Sequence, residues 1–391
     1  MHIVADENIP LLDGFFASLG RTTRLPGRQI ARADLLNADV LLVRSVSRVD
    51  AELLQGTPVR FVGTCTIGTD HLDLAWLASA GIRVASAPGC NARGVVEYVL
   101  SCLLTLAERT GQPWQERVVG IVGVGQVGKR LAATLKALGV RTLLCDPPRA
   151  LAGEQGFVAL DELLAEADVV SCHVPLSSGG AHATRHLLDE QRLRGLRQGA
   201  WLINSSRGPV IDGQALERLL ARRDDLQVVL DVWEAEPLVS FGLAARCALA
   251  TPHVAGYSLD GKLRGTEQIY QALCDYLGAS RQHRLADLAP LMGKARLDLA
   301  ASPPADWALQ KALRNVYDVR DDDARMRRML QAAQATADPA TACCAGFDRL
   351  RKEYPLRREN PLLTIGLDED ASADLGPLLQ AAGFSLALRD K

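Results

Sequence analysis

The chain predicts a doubly wound α/β fold in more than one domain, on three observations. Short apolar runs alternate with helical segments along most of its length, the rhythm of parallel sheets covered on both faces. A glycine triplet, Gly123, Gly125 and Gly128, stands where one such run turns into a helix. The 391 residues exceed one ordinary core, so two or three domains are expected.

Taken in order, strands are expected at His2–Ala5, Val40–Val43, Val59–Val62 and Ile82–Ala85. Helical segments such as Leu11–Leu19 and Leu72–Ala80 separate them, giving one parallel α/β unit. Gly94–Arg109 is apolar at Val95, Val96, Val99, Leu100, Leu103, Leu104 and Leu106, with Glu97 the only charge before Glu108. A face that broad suits a helix largely buried between domains.

Arg117–Asp146 follows as strand, glycine turn, helix and second strand, closed by an acidic residue. Each part has a separate task in holding a dinucleotide. Gly123 allows the tight turn, Gly125 lets backbone approach a pyrophosphate, and Gly128 lets the helix pack close to the sheet. The helix N-terminus offers unpaired N–H groups to the phosphates. Asp146 stands where a carboxylate accepts from both ribose hydroxyls and repels a 2′-phosphate, so NAD is expected over NADP. Arg149 is the one feature favouring NADP, and it is expected to cap a loop or face solvent. This stretch makes the second unit Rossmann-type.

Strands at Asp168–His173, Ala200–Asn204 and Val228–Leu230 continue that sheet, and Ala248–Ala250 reads equally as strand or loop. Leu259–Leu277 is a second long helix. The chain therefore leaves its first unit near residue 93 and returns after 256, which sets a 94–256 dinucleotide domain inside a flavodoxin-like domain of 1–93 and 257–285. A cleft between the two, closing to exclude water, is the expected consequence. From 286 to 391 the pattern changes, with strands at Leu297–Leu299 and Leu362–Leu367 and helices at Ala305–Leu313 and Asp322–Gln334, an α+β domain. Its basic residues, Arg349, Arg351, Lys352, Arg357 and Arg358, are interleaved with Asp321, Asp322, Asp323, Glu353 and Glu359. A solvated face or an oligomer contact suits that mixture better than a nucleic-acid patch.

With 44 basic and 46 acidic residues the net charge is −2, which offers no general attraction to nucleic acid or an anionic membrane. Nine cysteines are scattered without a CxxC pair or metal-ligand spacing. No apolar run reaches the ~18 residues of a membrane span, and MHIVADENIP lacks the basic and apolar regions of a signal peptide. A cytoplasmic location is expected.

Three residues at strand ends carry the expected chemistry. Arg207, in INSSRG, can grip a carboxylate with two parallel hydrogen bonds and stays charged. His253, in TPHVAGY, can accept the proton left on a hydroxyl oxygen when a 2-hydroxy acid is oxidised. Glu236, in DVWEAEP, can pair with that imidazole and stabilise its charged form. His173 is read as a satisfied structural residue.

These segments, GIVGVGQVGKRLA, INSSRGPVID, DVWEAEP and TPHVAGYS, resemble the D-isomer-specific 2-hydroxyacid dehydrogenases over roughly residues 95 to 260. The flanking motifs ADENIP, LLVRSVSRV, FVGTCTIGTDHLD, APGCNARGVVEYVL and AGYSLDGKLRGT, with the tail YDVRDDD…FDRLRKEYPLRRE, are similar to one branch of that family. That branch oxidises a 4-phosphorylated four-carbon 2-hydroxy acid on the route to pyridoxal 5′-phosphate and carries an extra C-terminal dimerisation domain. The resemblance implies catalytic roles for Arg207, Glu236 and His253 and substrate contacts for Ser45, Thr66 and Tyr257. It also implies NAD contacts for Gln126, Val127, Asp146, Ser205, Ser206, Arg207, Asp231 and Gly256, and a cytoplasmic homodimer. The His173-Val174-Pro175 loop departs from the family pattern by one residue in length. Arg44 is offered for the substrate phosphate, against a salt bridge as the other reading. Oxidation of 3-phosphoglycerate and an NAD-sensing binding role stay open beside this reading.

Overall fold

A computed structural model of the chain describes residues 1–289, 295–299 and 304–388. Two compact units divide it, Met1–Ala92 with Tyr257–Gly293, and Arg93–Gly256 with Lys294–Lys391. The described residues from Ala295 onward group with the Arg93–Gly256 region.

The first unit is built on β1 (His2–Asp6), β2 (Arg21–Leu25), β3 (Val40–Val43), β4 (Phe61–Thr64) and β5 (Arg83–Ala85). All pair in parallel, in the order β2-β1-β3-β4-β5, the flavodoxin arrangement. β4 begins two residues later than the apolar run suggests. β2, with the sequence RTTRL, carries no apolar run because it is the sheet edge and half exposed. The helix Leu259–Leu277 has the predicted bounds and buries Ile269, Tyr270, Leu273 and Cys274 against Ile3, Phe15 and Phe61.

In the second unit β6 (Val119–Val122), β7 (Thr142–Cys145), β8 (Val169–Cys172), β9 (Trp201–Asn204), β10 (Gln227–Leu230) and β11 (Leu249–Ala250) pair in parallel as β11-β10-β9-β8-β6-β7. β7 is an edge, and among the described residues no strand lies outside it, though Val158 N donates to Leu144 O there at 2.9 Å. The ambiguous Ala248–Ala250 run does form a strand, of two residues.

β12 (Ala295–Asp298), β13 (Leu363–Leu367) and β14 (Ser385–Leu388) make a smaller parallel sheet. Helices Ala305–Val316, Val319–Gln334 and Pro339–Lys352 connect the first two strands and Glu369–Ala381 the last two. Helix Pro339–Lys352 is not among the expected elements; its start is specified by Asp338 accepting from Thr341 N and by proline in the first turn. The long helix Ala92–Thr110 owes its wide apolar face to this segment. Val99, Leu103 and Leu106 share one core with Ile121, Ile203 and Val229 of the six-stranded sheet and with Leu309, Leu313 and Ile365. Burying each such side chain contributes about 1.5–3 kcal/mol, which ties the C-terminal segment to the sheet. Arg357, expected on a solvated face or an oligomer contact, is instead buried.

Candidate active site

β6 is buried at all four residues and runs into the glycine turn, after which the helix Gln126–Ala137 begins. A Cβ on Gly128 would stand 2.0 Å from the Gly123 carbonyl oxygen, so only glycine lets this helix start against the turn. A Cβ on Gly125 would meet nothing within 4 Å, which leaves open space beside the turn. Gln126 and Val127 open the helix, where N–H groups have no partner within it.

Asp146 follows β7 and caps the short helix Pro147–Leu151, its Oδ2 accepting from Val124 N at 2.8 Å and its Oδ1 from Arg149 N at 3.3 Å. The carboxylate is thereby fixed over the glycine turn. Arg149 pairs with Glu154, donates to the Val124 carbonyl and lies over Phe157, so its charge is already matched. Ser205 Oγ is buried without a hydrogen-bond partner in the protein, while Ser206 is tied through N and Oγ to Asn204 Oδ1. An open turn, a fixed acidic side chain and an orphaned hydroxyl fit the dinucleotide that the sequence implies.

Because β9, β10 and β11 are adjacent and parallel, the loops after them emerge at one end of the sheet. They are locked to one another. A Cβ on Gly208 would lie 2.0 Å from Trp233 C and O, so the Arg207 loop rests directly on the backbone that leads to Glu236. Trp233 donates from its indole to Thr251 O at 3.0 Å and from its amide to Glu236 Oε1 at 2.8 Å. Glu236 Oε2 lies 2.7 Å from His253 Nδ1. An ionised carboxylate only accepts, so Nδ1 carries the proton of the neutral ring and Nε2 keeps its lone pair. Burial would raise the Glu236 carboxyl. The His253 charge and hydrogen bond, with the Trp233 amide, outweigh burial and hold it below the usual range. Arg207 donates to Ser206 O at 2.8 Å, and its own carbonyl accepts from Asn204 Nδ2 at 3.0 Å.

His253 has φ 58°, a left-handed conformation that costs a non-glycine residue about 1–3 kcal/mol. Asp231 holds it there. Its carbonyl accepts from His253 N at 2.7 Å, and its carboxylate accepts from Thr251 Oγ1, Val254 N and Ala255 N at 2.6, 2.8 and 2.9 Å. The family resemblance implies a cofactor contact for Asp231, whereas this anchoring has no signal in the sequence and shows only in long-range geometry. His173 bonds Ser171 Oγ at 2.8 Å, and burial pushes it down to about 4, so it stays neutral. A cavity of about 540 Å³ lined by His186, Leu216, Trp233 and Glu234 lies beside the Arg207 loop, but Arg207, Glu236 and His253 do not line it.

Within the first unit, Ser45 and Thr66 follow the neighbouring strands β3 and β4. Thr66 Oγ1 lies 2.8 Å from Thr64 Oγ1, which His71 Nε2 approaches at 3.1 Å. Tyr257 accepts from Arg44 Nη2 at 3.4 Å, and Lys262 Nζ stands 4.6 Å from the centre of its ring. Arg44, Tyr257 and Lys262 thus form one cationic cluster. Among the described residues no group of acidic, cysteine and histidine side chains could hold a metal ion.

Residues 104–255 match the family described as "D-isomer specific 2-hydroxyacid dehydrogenase, NAD binding domain", and residues 290–380 match a "Domain of unknown function (DUF3410)". The chain is 59% identical over 386 residues to erythronate-4-phosphate dehydrogenase of Pseudomonas savastanoi pv. phaseolicola, covering 99% of this chain and 100% of that one. It is 56% identical over 387 residues to the protein of that name from Pseudomonas aeruginosa, covering 99% and 100%. In fold it is similar to D-lactate dehydrogenase from Aquifex aeolicus complexed with NAD and lactic acid (TM-score 0.60, 24% identity, 71% of this chain, 96% of that one). It is likewise similar to NAD-bound 3-phosphoglycerate dehydrogenase of Entamoeba histolytica (TM-score 0.62, 22% identity, 71% and 95%).

Proposed function

The chain belongs to the erythronate-4-phosphate dehydrogenase family of D-isomer-specific 2-hydroxyacid dehydrogenases, and on that premise we propose that it oxidises 4-phospho-D-erythronate at C2 to 2-oxo-3-hydroxy-4-phosphobutanoate. Its cofactor is NAD, held by the glycine turn, Asp146 and the Ser205 region, and when bound it supplies the acceptor for the hydride leaving C2. The observation that carries the reading is the 2.7 Å contact between His253 Nδ1 and Glu236 Oε2, on a loop interlocked with that of Arg207.

His253 Nε2 takes the C2 hydroxyl proton, and the ionised Glu236 stabilises the imidazolium that results. Arg207 holds the substrate carboxylate through a two-pronged hydrogen bond and polarises the forming carbonyl. The family resemblance assigns substrate contacts to Ser45, Thr66 and Tyr257, and the Arg44 guanidinium beside Tyr257 is the group proposed for the phosphate. The deciding experiment is a panel of phosphorylated 2-hydroxy acids assayed by NADH fluorescence. A kcat/KM for 3-phosphoglycerate equal to or above that for 4-phosphoerythronate would reverse the substrate assignment, and no turnover at all would favour an NAD-sensing role.

Replacing Arg44 by alanine is expected to raise KM for the 4-phosphorylated substrate about tenfold or more, since a charge-assisted hydrogen bond contributes about 1.5–3 kcal/mol. An unchanged KM sinks the phosphate role. A homodimer through the C-terminal segment is supported by Trp307, Leu356 and Leu388, large apolar side chains exposed on it, and native mass measurement tests it. A cytoplasmic location is supported by the nine cysteines, all free in the structure. No described helix is long and apolar enough to cross a membrane.

A further inference from the structure

The chain passes from one compact unit to the other at Ala92–Arg93 and returns at Gly256–Tyr257. Just inside the second unit, at both passages, a backbone carbonyl is bound by the same side chain. Arg357 donates from Nη2 to Gly94 O at 2.6 Å and from Nη1 to Ala255 O at 3.0 Å. It comes from the segment after the helix Pro339–Lys352 and is 5% exposed.

Its guanidinium lies 3.6 Å from the centre of the Tyr317 ring. Tyr317 and Tyr354 both donate to Asp322 Oδ2, at 2.9 and 2.8 Å, which fixes the ring on which Arg357 stacks. Glu97 Oε2 stands 3.8 Å from the guanidinium, while its Oε1 accepts from Asn360 N. Burial pushes the Glu97 carboxyl up to about 8 against the pull of Arg357, and the guanidinium is also held by the two carbonyls, the Tyr317 ring and Tyr354. Burying a cation is costly, and an apolar side chain of similar volume would pack this position at least as well. The charge is spent on the backbone it holds.

Of the two carbonyls, that of Gly94 lies in the helix Ala92–Thr110 and that of Ala255 in the loop after β11 that carries His253. The amide of Ala255 is bound by Asp231 and its carbonyl by Arg357, so the residue is fixed from both sides, two positions after the strained His253. We propose that Arg357 is a positioning residue for the oxidation, by which the C-terminal segment joins the two chain passages and holds the loop that aims His253. It acts through the loop and not on the reacting atoms. The proposal rests on His253 being the base in the reaction assigned above.

The test uses the full chain with Arg357→Lys and Arg357→Ala beside the unaltered protein, assayed with 4-phosphoerythronate and NAD. Lysine keeps the buried charge but reaches one carbonyl at a time. Both variants are expected to lose about 10- to 100-fold in kcat, with KM and the NADH dissociation constant within about threefold, because small misplacement of a catalytic group costs rate before affinity. Added guanidinium ion is expected to restore part of the lost kcat in Arg357→Ala. A kcat within about twofold of the unaltered protein in either variant overturns the proposal. A parallel loss of kcat and NADH binding in both also overturns it, since Arg357 would then serve the fold alone. Failure of the unaltered protein to turn over the substrate is a separate result, which removes the assigned reaction and this proposal with it.

Discussion

His253→Ala is expected to lower kcat by about 10²–10⁴-fold, the usual contribution of a positioned acid–base group, while titration of NADH fluorescence still reports binding. The upper end of that range is favoured by what the substitution leaves behind. Glu236 sits in the same loop cluster, yet its carboxyl is held below the usual range and is a weak base for a secondary alcohol. His173 is bound to Ser171 and does not share this cluster. The proposed dinucleotide cradle, by contrast, uses Gly123, Gly128 and Asp146, none of which draws its geometry from the His253 side chain. Turnover within about tenfold of the unaltered protein would mean that another group takes the proton.

The substitution also tests the pair itself. In the folded protein Glu236 titrates below its unfolded value, so the pairing stabilises the fold above that unfolded value and is lost as pH falls through the folded one. Removing His253 leaves burial as the main influence on Glu236 and shifts its titration upward.

How much of this was legible in the sequence depends on the range of the interaction that specifies each part. The glycine turn is local: Gly123, Gly125 and Gly128 do their work within a few residues, and their spacing announces it. The grouping of Arg207, Glu236 and His253 is legible for a related reason, since parallel strands deliver their following residues to one end of the sheet. The edge strand β2 escaped because an edge needs no apolar run. Arg357 escaped for the opposite reason. Its sequence surroundings are charged, and its burial comes from Tyr317, Gly94 and Ala255, the last two far away in the chain. Asp231 was read from its motif as a cofactor residue, and its anchoring of three separate groups in the 251–255 loop has no local signal.

Arg207→Lys is the second large effect expected, a loss of about 10- to 100-fold in kcat/KM for the phosphorylated acid, or about 1.4–2.7 kcal/mol of transition-state binding. The charge is retained, so the loss measures geometry. A guanidinium presents two parallel N–H groups to a carboxylate, whereas an ammonium is a point charge on a flexible stem. The backbone around Arg207 is held in part without its guanidinium, since Asn204 Nδ2 binds its carbonyl and Gly208 seats the loop against Trp233, although Nη1 also donates to Ser206 O at 2.8 Å. The substitution should therefore leave the Glu236–His253 pair in place, and the pH dependence of kcat should keep its shape while the rate falls. A kcat/KM within about twofold of the unaltered protein would show that the carboxylate is held as a simple ion and not by a fork. A changed pH profile would show instead that Arg207 acts through His253, by altering its charge environment, and the carboxylate would need another anchor.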